Sequence, residues 1–382
     1  MSNTWWKDPS ELIGEQTKIL DLPVDENLLI KGPPGSGKTN LLLLRANHLF
    51  LGDKPNLYVV VFGSVLRNFI KIGGGQYKFP SNKIITHTQL FNQILNEYDV
   101  ELDTNGMSLM DARKVKASAL LHLAHDNELG AIYDALLLDE AQDYFPDEIR
   151  VFKAISKTLI AAADLRQKVF TVDDCSSELQ KSVDNIYELN YHFRNGREIC
   201  RLADGVMQGK PDHVPLITYS SYDEKAYPSR VTERRGLTIE QQAAAIADQI
   251  TTQRLTYPDE LIGIMCPRNE EVASILEYLK LTPLGSEITH CNSKTFDPSR
   301  PVWLTTISSA KGLEFRAAHI AGLDMLHRTG GAQRRLAFTS ITRAKTALSI
   351  YYEKSIPGYL ESALRKIAPP KAVTKANIFG KD

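Results

Sequence analysis

Two short stretches of the chain gather residue types that handle phosphate. Gly32 to Thr39 reads GPPGSGKT and fills the pattern G-x-x-x-x-G-K-[ST]. It follows an apolar run, Leu28 to Ile30, and opens an amphipathic stretch, Lys38 to Leu51. In such a loop glycine lets backbone N–H groups turn inward onto phosphate oxygens, and the helix behind it adds the positive end of its dipole. Lys38 is then placed to reach β- and γ-phosphates, and the Thr39 hydroxyl to hold Mg²⁺. The second stretch, Ala135 to Asp143, reads ALLLDEAQD, an apolar strand ending in adjacent carboxylates. Asp139 at the strand tip suits the Mg²⁺ shell, and Glu140 suits polarisation of an attacking water, because phosphoryl transfer needs positioning and charge stabilisation. Together the two stretches predict a site that binds ATP with Mg²⁺, with nucleotide contacts from Gly32, Pro33, Pro34, Gly35, Ser36, Gly37, Lys38, Thr39 and Asn40. A P-loop kinase is a competing use of the same parts, but Gln142 and Asp143 have no obvious role in one.

The elements that must hold these residues follow from hydrophobic patterning. Short apolar runs at Leu28 to Ile30, Tyr58 to Phe62, Ala135 to Leu138 and Leu159 to Ala163 suit strands buried on both faces of a parallel sheet. A second series runs through Leu261 to Met265, Val302 to Thr305, His319 to Leu323 and Leu348 to Tyr352. Helical patterns occupy Met110 to Ala124, Ile239 to Ile250 and Glu270 to Leu281. Two β-α series, each too short for a barrel, predict two α/β lobes meeting near residues 180 to 195, with ligand between them at the carboxyl ends of strands.

Composition sets the class. The 382 residues are 43% hydrophobic and 24% charged, which excludes a disordered chain and supplies material for about two domains. The net charge of −1 gives no hint of nucleic acid by itself. Four scattered cysteines, Cys175, Cys200, Cys266 and Cys291, form no C-x-x-C pair and suit buried apolar positions in a reducing compartment. No stretch approaches the roughly 18 apolar residues of a membrane span, and the start, MSNTWWKDPSEL, lacks the regions of a signal peptide. A cytoplasmic protein without a membrane partner is the expectation.

In their order these stretches resemble the UvrD/Rep-type branch of superfamily 1 helicases, whose acidic motif commonly reads DExxD with Gln in the fourth place. Gln16, in ELIGEQTKIL, matches the glutamine that reads the adenine edge in that family. VVFGSVLRNFI resembles the strand whose aromatic residue, here Phe62, meets bases of the bound strand, and THTQLF resembles the next nucleic-acid contact motif, with His87 as its contact. AADLRQKVF resembles the GDxxQ motif, with Asp164 and Gln167 in place and Ala163 where Gly is usual; Gln167 would sense the γ-phosphate. LNYHFRNGREIC resembles the motif opening the second lobe, with Phe193 to stack on adenine and Arg194 to reach the γ-phosphate. TTISSAKGLEF and RRLAFTSITRAK resemble the last two motifs: Glu314 would meet the ribose, Thr306 and Ser308 the strand backbone, and Arg343 would be a second arginine finger. There are two departures. Phe170 is followed by TVDDCSS in place of the family's aromatic and arginine run, and Ser308 stands where many relatives carry His.

The resemblance implies two RecA-like P-loop NTPase lobes with parallel sheets and nucleotide in the cleft between them. It places the first lobe at residues 1–186 with a small helical insertion at about 99–130, the second at 187–366, and a basic flexible tail at 367–382. The implied activity is that of an ATP-dependent single-stranded nucleic-acid translocase or DNA helicase, 3′ to 5′ by the QKVF ending of its third motif. It is minimal in form: between Met265 and Val302 there is room for one helix and one strand. The expected partner is single-stranded DNA, with RNA open. An alternative reading is an ATP-gated nucleic-acid-binding subunit that licenses a partner nuclease, with little unwinding of its own.

Overall fold

The structure, a computed structural model, describes residues 11–73, 77–126, 128–164, 174–211 and 213–367. Its framework is two six-stranded sheets in which all pairings are parallel. The first contains β1 (Leu28–Lys31), β2 (Leu57–Val61), β3 (Ile84–Thr86), β4 (Tyr133–Leu138), β5 (Ser156–Ala163) and β6 (Asn185–Glu188), in the order β3-β2-β4-β5-β1-β6. The second contains β7 (Arg230–Arg235), β8 (Ile262–Cys266), β9 (Ile288–His290), β10 (Val302–Thr306), β11 (Phe315–Ile320) and β12 (Ala344–Tyr352), in the order β7-β12-β11-β8-β10-β9. Both are RecA-like lobes. Strands covered by helices on both faces carry unbroken apolar runs, as Leu28 to Ile30 of β1, Ala135 to Leu138 of β4, Leu159 to Ala163 of β5 and the whole of β8 do.

Helices fill the crossovers, with one more before the first strand and one after the last. In the first lobe they are α1 (Gly14–Leu20), α2 (Lys38–Leu51), α3 (Ser64–Gly73), α4 (His87–Glu97), α5 (Leu109–His125), α6 (Pro146–Ile155) and α7 (Ser176–Lys181). The second uses α8 (Arg197–Met207), α9 (Ile239–Thr256), α10 (Asn269–Lys280), α11 (Gln333–Ile341) and α12 (Gly358–Ile367). The expected insertion at 99–130 holds one helix, α5, and the chain between β8 and β10 makes α10 and β9. One hydrophobic core runs through both lobes: Leu66 and Phe69 of α3 belong to it together with Trp303 of β10 and Phe315 of β11. The Phe69 and Trp303 rings meet edge to face at 6.1 Å.

Three boundaries differ from the sequence expectation. The strand expected at His319 to Leu323 starts at Phe315. Its apolar pattern is interrupted by Arg316, a buried cation held by Glu260 and Thr346. The expected lobe boundary at 186/187 falls inside β6, which pairs with β1 and carries the first sheet to Glu188. Ile367, assigned to the tail, is the last residue of α12, and the rest of the tail lies outside the described residues.

Candidate nucleotide site between the lobes

The loop from β1 to α2 lies where the strand order reverses, with β1 flanked by β5 on one side and β6 on the other. Crevices of parallel sheets open at such points. Gly35 and Gly37 have φ of +74° and +88°, values that glycine adopts freely. Gly35 is required twice over, because an added Cβ would stand 2.4 Å from the Cβ of Arg194 in the second lobe. The Lys38 ammonium donates to Gly32 O at 2.8 Å and Pro33 O at 2.9 Å. Burial lowers its pKa, against the opposing pull of Asp164, Glu140 and Asp139.

At the end of β4 the acidic pair takes two different settings. Thr39 Oγ1 donates to Asp139 Oδ2 at 2.9 Å, so hydroxyl and carboxylate stand side by side. Burial, and then the neighbouring Glu140 charge, push the Asp139 carboxyl up to about 7, against the Thr39 bond and Lys38. Glu140, just past the end of β4, sits in the left-handed region at φ +52°, a sparsely populated conformation for a residue other than glycine. Burial raises its pKa, but Lys311, Lys38 and Arg343 outweigh burial and hold it ionised. The fully buried Gln142 fixes it further: its amide donates to Glu140 Oε2, and its carbonyl accepts from Asp164 N at 3.0 Å.

The second lobe faces these groups with cations. One cavity is bounded by Gly35, Lys38, Thr39, Asp139 and Glu140 on one side and by Arg194, Gly312, Glu314 and Arg343 on the other. Arg343, 1% exposed, donates to Thr339 O at 3.1 Å and Leu313 O at 3.2 Å. Burial, and then repulsion from Arg194, lower its pKa to about 9. Arg194 forms an ion pair with Glu314. Lys311, on the loop between β10 and β11, crosses between lobes to Asp143 Oδ2 at 2.5 Å and comes within 3.7 Å of Glu140 Oε2. Next to it an added Cβ on Gly312 would stand 2.7 Å from the Leu66 side chain, so the lobes touch where only glycine fits.

The remaining candidates lie at varying distance from this cavity. Gln16 is buried behind the loop, where it donates to Ser36 O at 2.9 Å and caps α1 by accepting from Ile13 N at 3.2 Å. Asn40 lines the cavity and accepts from Tyr77 OH at 3.0 Å. Phe193 donates its N–H to Gly35 O at 3.0 Å and does not line the cavity. Thr306 and Ser308 stand together at the end of β10, their hydroxyls 3.3 Å apart. Phe62 is half-buried beyond β2. His87, expected to touch nucleic acid, is instead buried beneath it as the first residue of α4, its ring stacked on Phe62 at 5.2 Å. Burial, and then Arg113, push that imidazole down to about 3, so it is neutral. Gln167 lies outside the described residues. Sequence reasoning gave no role to Gln142, Asp143 or Lys311. Their residue types were visible beside the motifs, but nothing along the chain pairs Lys311 with an acid 168 positions away.

Among the described residues no helix is long and apolar enough to cross a membrane, and no group of three or more His, Cys, Asp or Glu is arranged to hold a metal. The sequence model of the UvrD-like helicase C-terminal domain matches residues 301–351, the stretch from β10 to β12 that carries Thr306, Ser308, Lys311, Glu314 and Arg343. No curated protein matches the chain. Among solved structures, the C-terminal domain of a possible DNA helicase from Lactobacillus plantarum is similar at 16% identity and a TM-score of 0.34, covering 46% of this chain and 96% of that one. The PRRSV helicase is similar at 15% identity and a TM-score of 0.42; the match covers 88% of this chain and 54% of that one, about half its length.

Proposed function

We propose that the chain is a nucleic-acid-dependent ATPase of the superfamily 1 helicase type, a motor that moves along one strand. The observation that carries this reading is that Lys38, Thr39, Asp139 and Glu140 of one lobe share a cavity with Arg194 and Arg343 of the other. The helicase-type match over residues 301–351 supports nucleic acid as its track.

In this reading the loop N–H groups and Lys38 receive the ATP phosphates, Lys38 exchanging its bonds to Gly32 O and Pro33 O for phosphate oxygens. The Thr39 hydroxyl and Asp139 carboxylate supply adjacent hard oxygen donors that fit Mg²⁺, which when bound neutralises charge on the β- and γ-phosphates. Glu140, held ionised and steadied by Gln142, orients the attacking water and accepts its proton. Arg194 and Arg343 stabilise the charge that develops on the transferred phosphoryl, a contribution on the order of 10³- to 10⁵-fold for such fingers.

Because the arginines stand on the second lobe, bound ATP favours closure and its hydrolysis removes their anionic partner. Closure and opening change the spacing between a first-lobe surface at Phe62 and a second-lobe surface at Thr306 and Ser308, and this steps the protein along a strand. We assign the direction 3′ to 5′. Phosphate release measured alone and with single- and double-stranded DNA and RNA tests the reading: single strands raise turnover several-fold, and no stimulation by any of the four rejects it. Displacement of a protein roadblock from one strand end separates a motor from an ATP-gated subunit and reads the direction.

A further inference from the structure

The two arginines of the cleft reach it from segments far apart in sequence, yet the structure mounts both on one bracket. Asn195, 0% exposed, follows Arg194 directly. Its side-chain amide donates to Thr342 O at 3.0 Å and to Ala344 O at 2.6 Å, the carbonyls on either side of Arg343. The next residue continues the seam, Gly196 N donating to Lys345 O at 2.9 Å. Gly196 is also packed closely from another side, where an added Cβ would stand 2.2 Å from the Ser229 Cβ.

The chemistry asks for this residue type. Thr342 is the C-cap of α11, and the last carbonyls of a helix have no partner within it. Asparagine carries two N–H donors on one nitrogen, one for each carbonyl; serine offers one donor, and alanine and ionised aspartate offer none. Arg194 and Arg343 are also like charges facing one cavity, so their spacing needs an external restraint. We infer that Asn195 is a positioning residue that fixes the spacing of Arg194 and Arg343, so that both fingers engage the terminal phosphate together.

The inference rests on the ATPase reading above, and its test separates the two. Turnover of the full chain is measured at saturating ATP and single-stranded DNA for wild type, Asn195→Ala, Arg343→Ala and the double variant, in single-turnover assays where rates are low. Asn195→Ala lowers kcat about tenfold to a hundredfold with KM for ATP within about threefold, because misplaced fingers weaken the transition state more than nucleotide binding. In the Arg343→Ala background the same change adds less than about twofold, since the bracket has lost half of what it places. Asn195→Ser keeps one donor and gives an intermediate kcat; if Asn195→Ala does not fold, the serine variant decides by the same comparison. Wild-type kcat in the folded variant, or an equal fold-loss in both backgrounds, overturns the inference. Wild-type turnover by Arg343→Ala would instead overturn the ATPase reading.

Discussion

At the scale of single residues, the site depends on carboxylates of one type being given different work by their surroundings. Asp139 lies against the Thr39 hydroxyl, while Glu140 is ringed by Lys311, Lys38 and Arg343 and fastened by Gln142. Glu140→Gln keeps shape and size but cannot accept a proton. It should lower phosphate release by at least about a hundredfold while leaving nucleotide binding intact, measured by fluorescent-nucleotide titration beside a phosphate assay. Wild-type turnover would remove Glu140 from the role of base. The loop and the acidic pair were legible because each is a contiguous run of types whose chemistry is stated by spacing alone. The setting of His87 was not legible, because the sequence does not say on which side of Phe62 an imidazole lies; in the structure it is buried with its ring stacked on Phe62.

At the scale of elements, β3, β6 and β7 had no position in the sequence and β9 only an allowance for one strand between Met265 and Val302, and these four are the sheet edges. Central strands declare themselves by unbroken apolar runs. β7, RVTERR, has one neighbour and an exposed outer face, so nothing requires it to be apolar, and β3 and β9 are three residues long. Burial within elements has a consequence for pH. His319 of β11 lies within hydrogen-bond distance of Tyr351 OH in β12 and Gln253 Oε1 in α9, both at 2.9 Å, and burial pushes its pKa down to about 3. The folded state refuses a proton that the unfolded chain accepts near the ordinary histidine value of 6.5, so this contribution to stability is lost as pH falls below that value. Between about pH 7.5 and pH 5, wild type should lose about 2 kcal/mol more than His319→Gln in urea denaturation. Parallel profiles for the two proteins would contradict the neutral, buried imidazole.

At the scale of the whole molecule, function requires two lobes that meet in a defined way. The apolar part of that meeting is Leu66 against Gly312 and Phe69 against Trp303, and the charged part is Lys311 with Asp143. That the lobes exist was readable from two β-α series; which side chains join them was not, because the contacts link residues of common types across long separations. Lys311→Met and Asp143→Asn should each destabilise the protein, and the double variant should lose less than their sum by roughly 1–3 kcal/mol in denaturation midpoints; strict additivity would dissolve the bridge. The central claim is that the second lobe completes an ATP site begun by the first, and Arg343→Ala tests it most directly. With saturating ATP and single-stranded DNA, phosphate release should fall by about a thousandfold or more while nucleotide affinity stays within about tenfold of wild type; undiminished release would contradict the claim.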